Sequence, residues 1–379
     1  MVRRLALVVS LAVLGGCAAL DDMLASLHQD RAVPVPLDER PRDMPIDPNR
    51  FELASRNQSV VGEPQLVFTG AEDTLSDLAR AYGLGYDEIV AANPGIDPWL
   101  PGENTPILLP TQFVLPDVPR RGLVLNIATK RLFYFPETSG DAPQVVLTYP
   151  IGIGRVGWET PLGETLVTGK ARDPHWWVPA SVRREHAEMG NPLPDVVPPG
   201  PDNPLGNRVL QLDMPGYLIH GTNQPYGVGM RVSHGCIRLY PENIEFLYPL
   251  VAIGTPVRII NEPYLLGRRD GDIYFEAHAP LADDPMSPDA RLDALLDAPA
   301  EVSNAPLNPH LRDHVRSLAR EPHGMPLRIA HYDANEVLSR VRVVHNIVEP
   351  DPKAPSLSEV RELMDEVAQE IEREKTEAL

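Results

Sequence analysis

Between Pro64 and Pro110 the apolar positions change period twice, and the changes outline a small folded unit. The run Gln65–Phe68 (QLVF) reads as a strand. Leu75, Leu78, Ala79 and Tyr82 then recur at the three-and-four spacing of a helix buried on one side. Asp73-Thr74 supplies the start signal of that helix and Gly83 its stop. Asp87 opens a second helix with Ile89, Val90 and Ala92, which Asn93-Pro94 ends, and PILLP (106–110) returns to a strand. The expected order is strand–helix–helix–strand.

From Gly122 the texture is that of strands. Leu123–Ile127, a turn at Ala128-Thr129-Lys130, and Leu132–Phe135 predict a hairpin. Further runs follow at Gln144–Tyr149, Thr165–Thr168, Val209–Leu212, Tyr217–His220 and Val257–Ile260, punctuated by glycine and proline. This region is mainly β, with one helix expected from Asn243 to Val251 behind Pro241. After about residue 280 the chain is acidic and proline-interrupted. Near the end, Leu357, Val360, Leu363, Met364, Val367 and Ile371 share one helical face behind the capping box Ser356…Glu359. A helix packing on the preceding domain is expected there.

The N-terminus MVRRLALVVSLAVLGGCAAL has Arg3 and Arg4 ahead of an apolar run, Leu5–Leu14, that is too short to span a membrane. That layout predicts a signal peptide over residues 1–16. Leu14-Gly15-Gly16-Cys17 resembles a bacterial lipobox, which implies lipidation of Cys17 as the first mature residue. Ala18 stands where an Asp would favour the inner membrane, so the expected address is the outer membrane. Residues 17–60 are proline-rich and charged, without a period, and read as a tether.

Composition changes the picture in two places. A formal charge of −19, from 53 acidic against 34 basic residues, argues against nucleic acid as a partner. The chain holds two cysteines. If Cys17 carries lipid, Cys236 is left without an intramolecular partner in an oxidising compartment.

Cys236 lies in YLIHGTNQPYGVGMRVSHGCIRLY (217–240) and has four readings: inert core thiol, metal ligand, half of a disulfide, or nucleophile. Attack on a carbonyl requires thiolate, and so a base and a polar setting. His234 is two residues away, so in an extended segment it shares a face with Cys236. His220 ends an apolar strand and can face Cys236 from a neighbouring one. Gly235 permits a sharp turn whose amides can hold an oxyanion, and Arg238 adds positive charge. The rival chemistry is a zinc site using His220, His234 and Cys236, which lacks a fourth conventional ligand.

His220-Gly221 followed by Ser233-His234-Gly235-Cys236-Ile237-Arg238 resembles the signature of the L,D-transpeptidases, whose catalytic domain is the YkuD type. Residues 61–112 resemble a LysM module, with Leu66 where many such modules carry an aromatic. GWETPLG (157–163) and the proline-rich stretch 194–212 resemble the subgroup that attaches Braun lipoprotein to peptidoglycan. The resemblance implies a multidomain chain: a LysM module, a mainly β, sandwich-like catalytic domain over 119–262, and an α-helical extension over 263–379. It implies Cys236 as nucleophile and His220 as general base, oriented by a backbone carbonyl near Gly221. His234 and Arg238 shape the site and hold substrate, Ser233 bonds locally, and Trp176 and Trp177 either form a lid or pack a surface loop.

The implied reaction needs no cofactor or metal. Cys236 attacks the diaminopimelate–D-alanine bond of a tetrapeptide stem and passes the acyl group to an amine. That amine belongs to a lysine-ended outer-membrane lipoprotein or to another diaminopimelate, while water makes the enzyme a carboxypeptidase. The implied setting is the periplasm of a Gram-negative bacterium, with lipid in the outer membrane and LysM on the glycan. The alternative from another class is a non-catalytic, peptidoglycan-tethering lipoprotein.

Overall fold

The computed structural model describes residues 42–138, 142–298, 307–330 and 341–349. The expected signal peptide, Cys17, the tether up to residue 41 and the amphipathic face from 357 to 371 lie outside them. Among the described residues no helix is long and apolar enough to cross a membrane.

A nine-stranded mixed sheet is the centre of the molecule. Its strands run in the order Arg50–Glu52, Val145–Pro150, Arg131–Phe135, Gly122–Asn126, Pro256–Ile260, Gly163–Arg172, Arg208–Leu212, Leu218–His220 and Ile237–Arg238. Two neighbouring pairs are parallel, Pro256–Ile260 with Gly122–Asn126 and Leu218–His220 with Ile237–Arg238. Several of these strands are buried on both faces, which is why they read as unbroken apolar runs. Leu123, Leu125, Leu132, Tyr134 and Tyr149 face one core, closed by Ile244 and Leu247 of the helix Pro241–Leu250. Val124, Phe133, Phe135 and Val146 face the opposite way.

That second face is covered by the strand–helix–helix–strand unit. Leu75, Leu78, Ile89, Ile107 and Leu109 belong to the same core as Val124 and Phe133, so module and sheet bury apolar surface against each other. The two helices span Leu75–Ala81 and Tyr86–Ala92, between antiparallel strands Gln65–Phe68 and Pro106–Leu109. Thr74 caps the first helix by accepting from the Asp77 amide at 3.1 Å, and the Thr74 amide donates to Asp77 Oδ2 at 3.1 Å. The second helix begins ahead of Asp87, where the sequence placed its start. There the Gly85 amide donates to Glu88 Oε2 at 2.6 Å.

The stretch read as a tether up to residue 60 carries paired strands from Arg50 on. Arg50–Glu52 pairs antiparallel with Val145–Leu147 at the sheet edge, and Phe51 meets Phe113 edge-on with centroids 6.3 Å apart. Val60–Gly62 pairs with Gln112–Val114. Three-residue strands show no period of their own; their partners define them.

The extension adds more than helices. Tyr264–Arg269, Asp272–Ala277 and Pro326–Arg328 form an antiparallel sheet beside the helices Pro288–Leu296 and Pro309–Leu318, around a third core that includes Leu292, Val315 and Phe275. Arg342–Val343 then lies parallel on Gln65–Leu66 as a third strand of the small unit's sheet.

Candidate active site

His220, Cys236 and Arg238 meet at the open end of the sheet. In the parallel pair that closes it, Ile219 faces Ile237 and His220 faces Arg238. Cys236 immediately precedes the last strand, so it shares a face with Arg238, two residues on. Its Sγ lies 3.6 Å from the Gly216 carbonyl. Short strand pairing, not sequence proximity, brings residues 220 and 236 to one place.

His220 is buried and its Nδ1 lies 2.6 Å from the Gly221 carbonyl. A carbonyl only accepts, so Nδ1 carries the proton and Nε2 keeps its lone pair. Burial pushes the imidazole down to about 3, with Arg238 adding to the fall; bonds to the Gly221 and Leu205 carbonyls oppose it. Burial likewise pushes the Cys236 thiol above its ordinary 9.0, against a backbone hydrogen bond at Leu218 and the charge of Arg238. The resting pair is therefore a neutral thiol and a neutral imidazole, not an ion pair.

Ser233 and Gly235 shape the turn before the thiol. Ser233 Oγ donates to the Cys236 carbonyl at 2.6 Å and accepts from the Gly235 amide at 3.2 Å. Thr160 Oγ1 donates to the Gly235 carbonyl at 2.9 Å. Gly235 sits at φ +100°, which favours glycine, and a Cβ there would also press on Cε1 of Tyr217 at 3.0 Å. Because the Gly235 amide is taken by Ser233, it is not free to hold an oxyanion as expected. The Cys236 amide has no backbone acceptor among the described residues.

His234 precedes Gly235, whose positive φ breaks the extended run that would have set His234 and Cys236 on one face. Its Nε2 lies 2.8 Å from Glu185 Oε2, and its ring stands edge-on to Trp158 with centroids 4.9 Å apart. A carboxylate only accepts, so Nε2 carries a proton. The 3.2 Å approach of Arg155 Nη2 to the same nitrogen is then a contact, not a second bond. Arg155 also pairs with Glu185. Desolvation works to raise the Glu185 carboxyl, but bonds from His234 and Arg155 hold it below its usual range.

Residues 120–259 match the family described as the L,D-transpeptidase catalytic domain, and residues 70–98 match the LysM domain. The chain is 36% identical over 304 residues to the probable L,D-transpeptidase YcfS of Escherichia coli K12, spanning 77% of this chain and 92% of that protein. It is 40% identical over 236 residues to the probable L,D-transpeptidase YbiS of the same organism, spanning 61% and 76%. It is 39% identical over 236 residues to the probable L,D-transpeptidase ErfK/SrfK of Salmonella typhimurium, spanning 61% and 75%. The chain belongs to the L,D-transpeptidase family.

In this L,D-transpeptidase the sequence reading had missed Arg155, Thr160 and Glu185. Thr160 lies within the quoted GWETPLG stretch and Arg155 just ahead of it, so both had a local signal. Glu185 had none. Its helix, Ala180–Glu188 (ASVRREHAE), buries only Val182 and shows no apolar period. The helix lies between two strands, Trp176–Trp177 and Val196–Val197, that pair antiparallel. Trp177 is 75% exposed, so its ring is not packing against the body of the domain. Glu185 bonds this excursion to the loop bearing Cys236, beside a ring contact of His186 with His234, centroids 6.0 Å apart. The three residues weighed as zinc ligands do not gather: His220 Nδ1 is turned to the Gly221 carbonyl and His234 Nε2 to Glu185. Among the described residues no group of three or more metal-ligating side chains forms.

Proposed function

We propose that this L,D-transpeptidase acts on peptidoglycan stem peptides by a two-step acyl transfer, with Cys236 as nucleophile and His220 as general base. The observation that carries the reading is the His220 ring, locked through Nδ1–H on the Gly221 carbonyl and held neutral by burial. An imidazole that stays neutral at physiological pH is able to accept the thiol proton, and the burial that keeps it neutral also weakens it as a base, so the transfer runs with the attack rather than ahead of it.

As sulfur attacks the diaminopimelate carbonyl of a tetrapeptide donor, the thiol proton passes to His220 Nε2. The carbonyl oxygen becomes an oxyanion, held by the Cys236 amide; one such donor is worth about 3 kcal/mol of barrier in comparable sites. Collapse breaks the bond to D-alanine, whose amine leaves with the proton from the imidazolium. The thioester is then attacked by an acceptor amine, which gives a proton back through His220 as the thiol is restored. A lipoprotein lysine or a second diaminopimelate serves as the amine, and water makes the reaction a carboxypeptidase step.

Arg238 supports donor binding. No carboxylate pairs with it among the described residues, and its buried Nε has no partner, which suits the carboxylate of a stem peptide. The LysM module supplies glycan affinity, and a lipid on Cys17 places the enzyme in the periplasm at the outer membrane. Cys17→Ala should then release the protein from membranes.

The deciding experiment is an intact-mass and product assay with tetrapeptide-bearing muropeptides, with and without a lysine-ended acceptor peptide. Loss of D-alanine with a thioester on Cys236 is expected, and the amide product names the acceptor. Retained glycan binding with no adduct and no turnover would show a wall tether instead.

A further inference from the structure

The chain from Gly221 to Gly235 joins the proposed base to the proposed nucleophile, and the middle of this loop leans on the LysM module. The Tyr86 amide donates to the Val228 carbonyl at 3.1 Å, across the boundary between the two units. Gly229, at φ +87°, meets Gly85 backbone to backbone. A Cβ on Gly229 would lie 2.4 Å from Gly85 Cα and 2.3 Å from Tyr86 N, which no side chain tolerates. From the opposite side the catalytic domain holds the same loop. The Gly229 amide donates to Ile151 O at 3.3 Å, the Ile153 amide to Met230 O at 3.0 Å, and Arg231–Ser233 pairs with Ile153–Gly154.

The LysM turn that presses on the loop is itself immobilised. Gly85 donates its amide to Glu88 Oε2. Glu88 is clamped by Arg131 of the central sheet, Nε to Oε1 and Nη2 to Oε2, both at 2.7 Å. Arg131 Nη2 also donates to the Gly83 carbonyl at 3.1 Å. A closed circuit therefore runs from the sheet through a buried ion pair to the turn Gly83–Tyr86, and from the turn to the loop between His220 and Cys236.

We propose that this inter-helix turn is a positioning element of the active site: it backs the loop and so sets Cys236 against His220. LysM thus has a second role, independent of any glycan it binds. The proposal rests on the assignment of Cys236 and His220 given above. Its physical basis is that a misplacement of about 1 Å at a reacting centre costs about a hundredfold in rate.

The test uses the full chain and two substitutions at Tyr86. Tyr86→Pro deletes the amide that reaches Val228, at the first position of a helix where proline is well accommodated. Gly85 before it is already extended, at φ −89° and ψ 158°, as a residue preceding proline must be. Tyr86→Ala keeps the amide and removes only the ring, so the difference between the two isolates the contact. Two rates are read: turnover of a glycan-free tetrapeptide donor, and alkylation of Cys236 by iodoacetamide, located by mass on its tryptic peptide.

Tyr86→Pro should be about tenfold slower than Tyr86→Ala in kcat and in alkylation near neutral pH, with KM for the free peptide unchanged. Binding to insoluble peptidoglycan should be equal in the two variants. Glu88→Gln, which loosens the clamp on the same turn without adding an atom to the loop contact, should reproduce part of the loss and covers the case of a proline variant that does not fold. Equal kcat and equal alkylation in the proline and alanine variants, whatever their Tm, would overturn the proposal. Absence of turnover in the wild-type chain would count against the Cys236–His220 assignment, and the alkylation comparison would still decide the role of the turn.

Discussion

Arg131 and Arg238 sit in the same central sheet, both drawn away from water, and their surroundings treat them in opposite ways. Arg131, 1% exposed, is fully engaged: two bonds to Glu88, one to the Gly83 carbonyl, a contact with Thr148 Oγ1 at 3.3 Å, and its guanidinium 3.8 Å from the centroid of Phe113. Arg238 has a buried Nε without a partner and no carboxylate beside it among the described residues. Its neighbours are a thiol, an imidazole and the Tyr226 hydroxyl. A buried charge with every bond made holds two modules together; a half-buried charge left open is an invitation to a ligand. The two regions separate what makes this molecule one body from what makes it reactive.

The largest expected effects lie on the reactive side. Cys236→Ala should abolish both the thioester and all turnover, leaving the fold intact by circular dichroism. His220→Ala should lower kcat by about a hundred- to ten-thousandfold, the range for loss of a general base, and slow alkylation of Cys236 at neutral pH. Unchanged alkylation across pH 6 to 8 would remove His220 as the base, since burial alone would then set the thiol's reactivity.

On the structural side the contrast reads out as stability. Glu88→Ala leaves the Arg131 charge buried and unpaired, which should cost about 3–5 kcal/mol in denaturant unfolding. Arg238→Met removes an unpartnered charge, so unfolding should be unaffected or shifted slightly upward. Its KM for the donor should instead rise about tenfold or more, matching a lost hydrogen bond to a charged group of about 1.5–3 kcal/mol. Interchanged outcomes, with Arg238 destabilising and Glu88 silent, would break the comparison.

Acid provides a further arm. His220 binds a proton at about 3 when folded and at its ordinary 6.5 when unfolded. The unfolded chain therefore takes up the proton first as pH falls. Stability from this group is complete above pH 6.5 and drains away between there and about 3. His220→Asn should flatten that part of the stability–pH curve, measured by urea midpoints at each pH. The smallest effect is expected at the sheet edge. The Arg50–Glu52 pair is half-exposed on both sides, and Glu52→Ala should change stability by less than about 1 kcal/mol.

Much of this architecture was legible in one dimension, for reasons that differ by element. The LysM helices show because Leu75, Leu78 and Ile89 must all face one core and Thr74 must cap. The central strands show because burial on both faces forces continuous apolar text, as in Leu123–Leu125. The family showed because His220-Gly221 and Ser233–Arg238 stood in a pattern familiar from it. The tether's folded end did not show, since Arg50–Glu52 is a strand only by virtue of its partner. Nor did Glu185, whose polar helix carries no period.

What the sequence determined by itself, then, is everything that local chemistry dictates: periods, caps, turns and the identities of groups able to react. What only the tertiary structure decided is where charges find partners. That Arg131 would be buried against Glu88, that His234 would turn to Glu185 while His220 faced Arg238, and that a LysM turn would rest against the loop at Gly229 all depend on separate segments of the chain meeting in space. No local propensity encodes such meetings, because their energy exists only once the chain has folded and water has left.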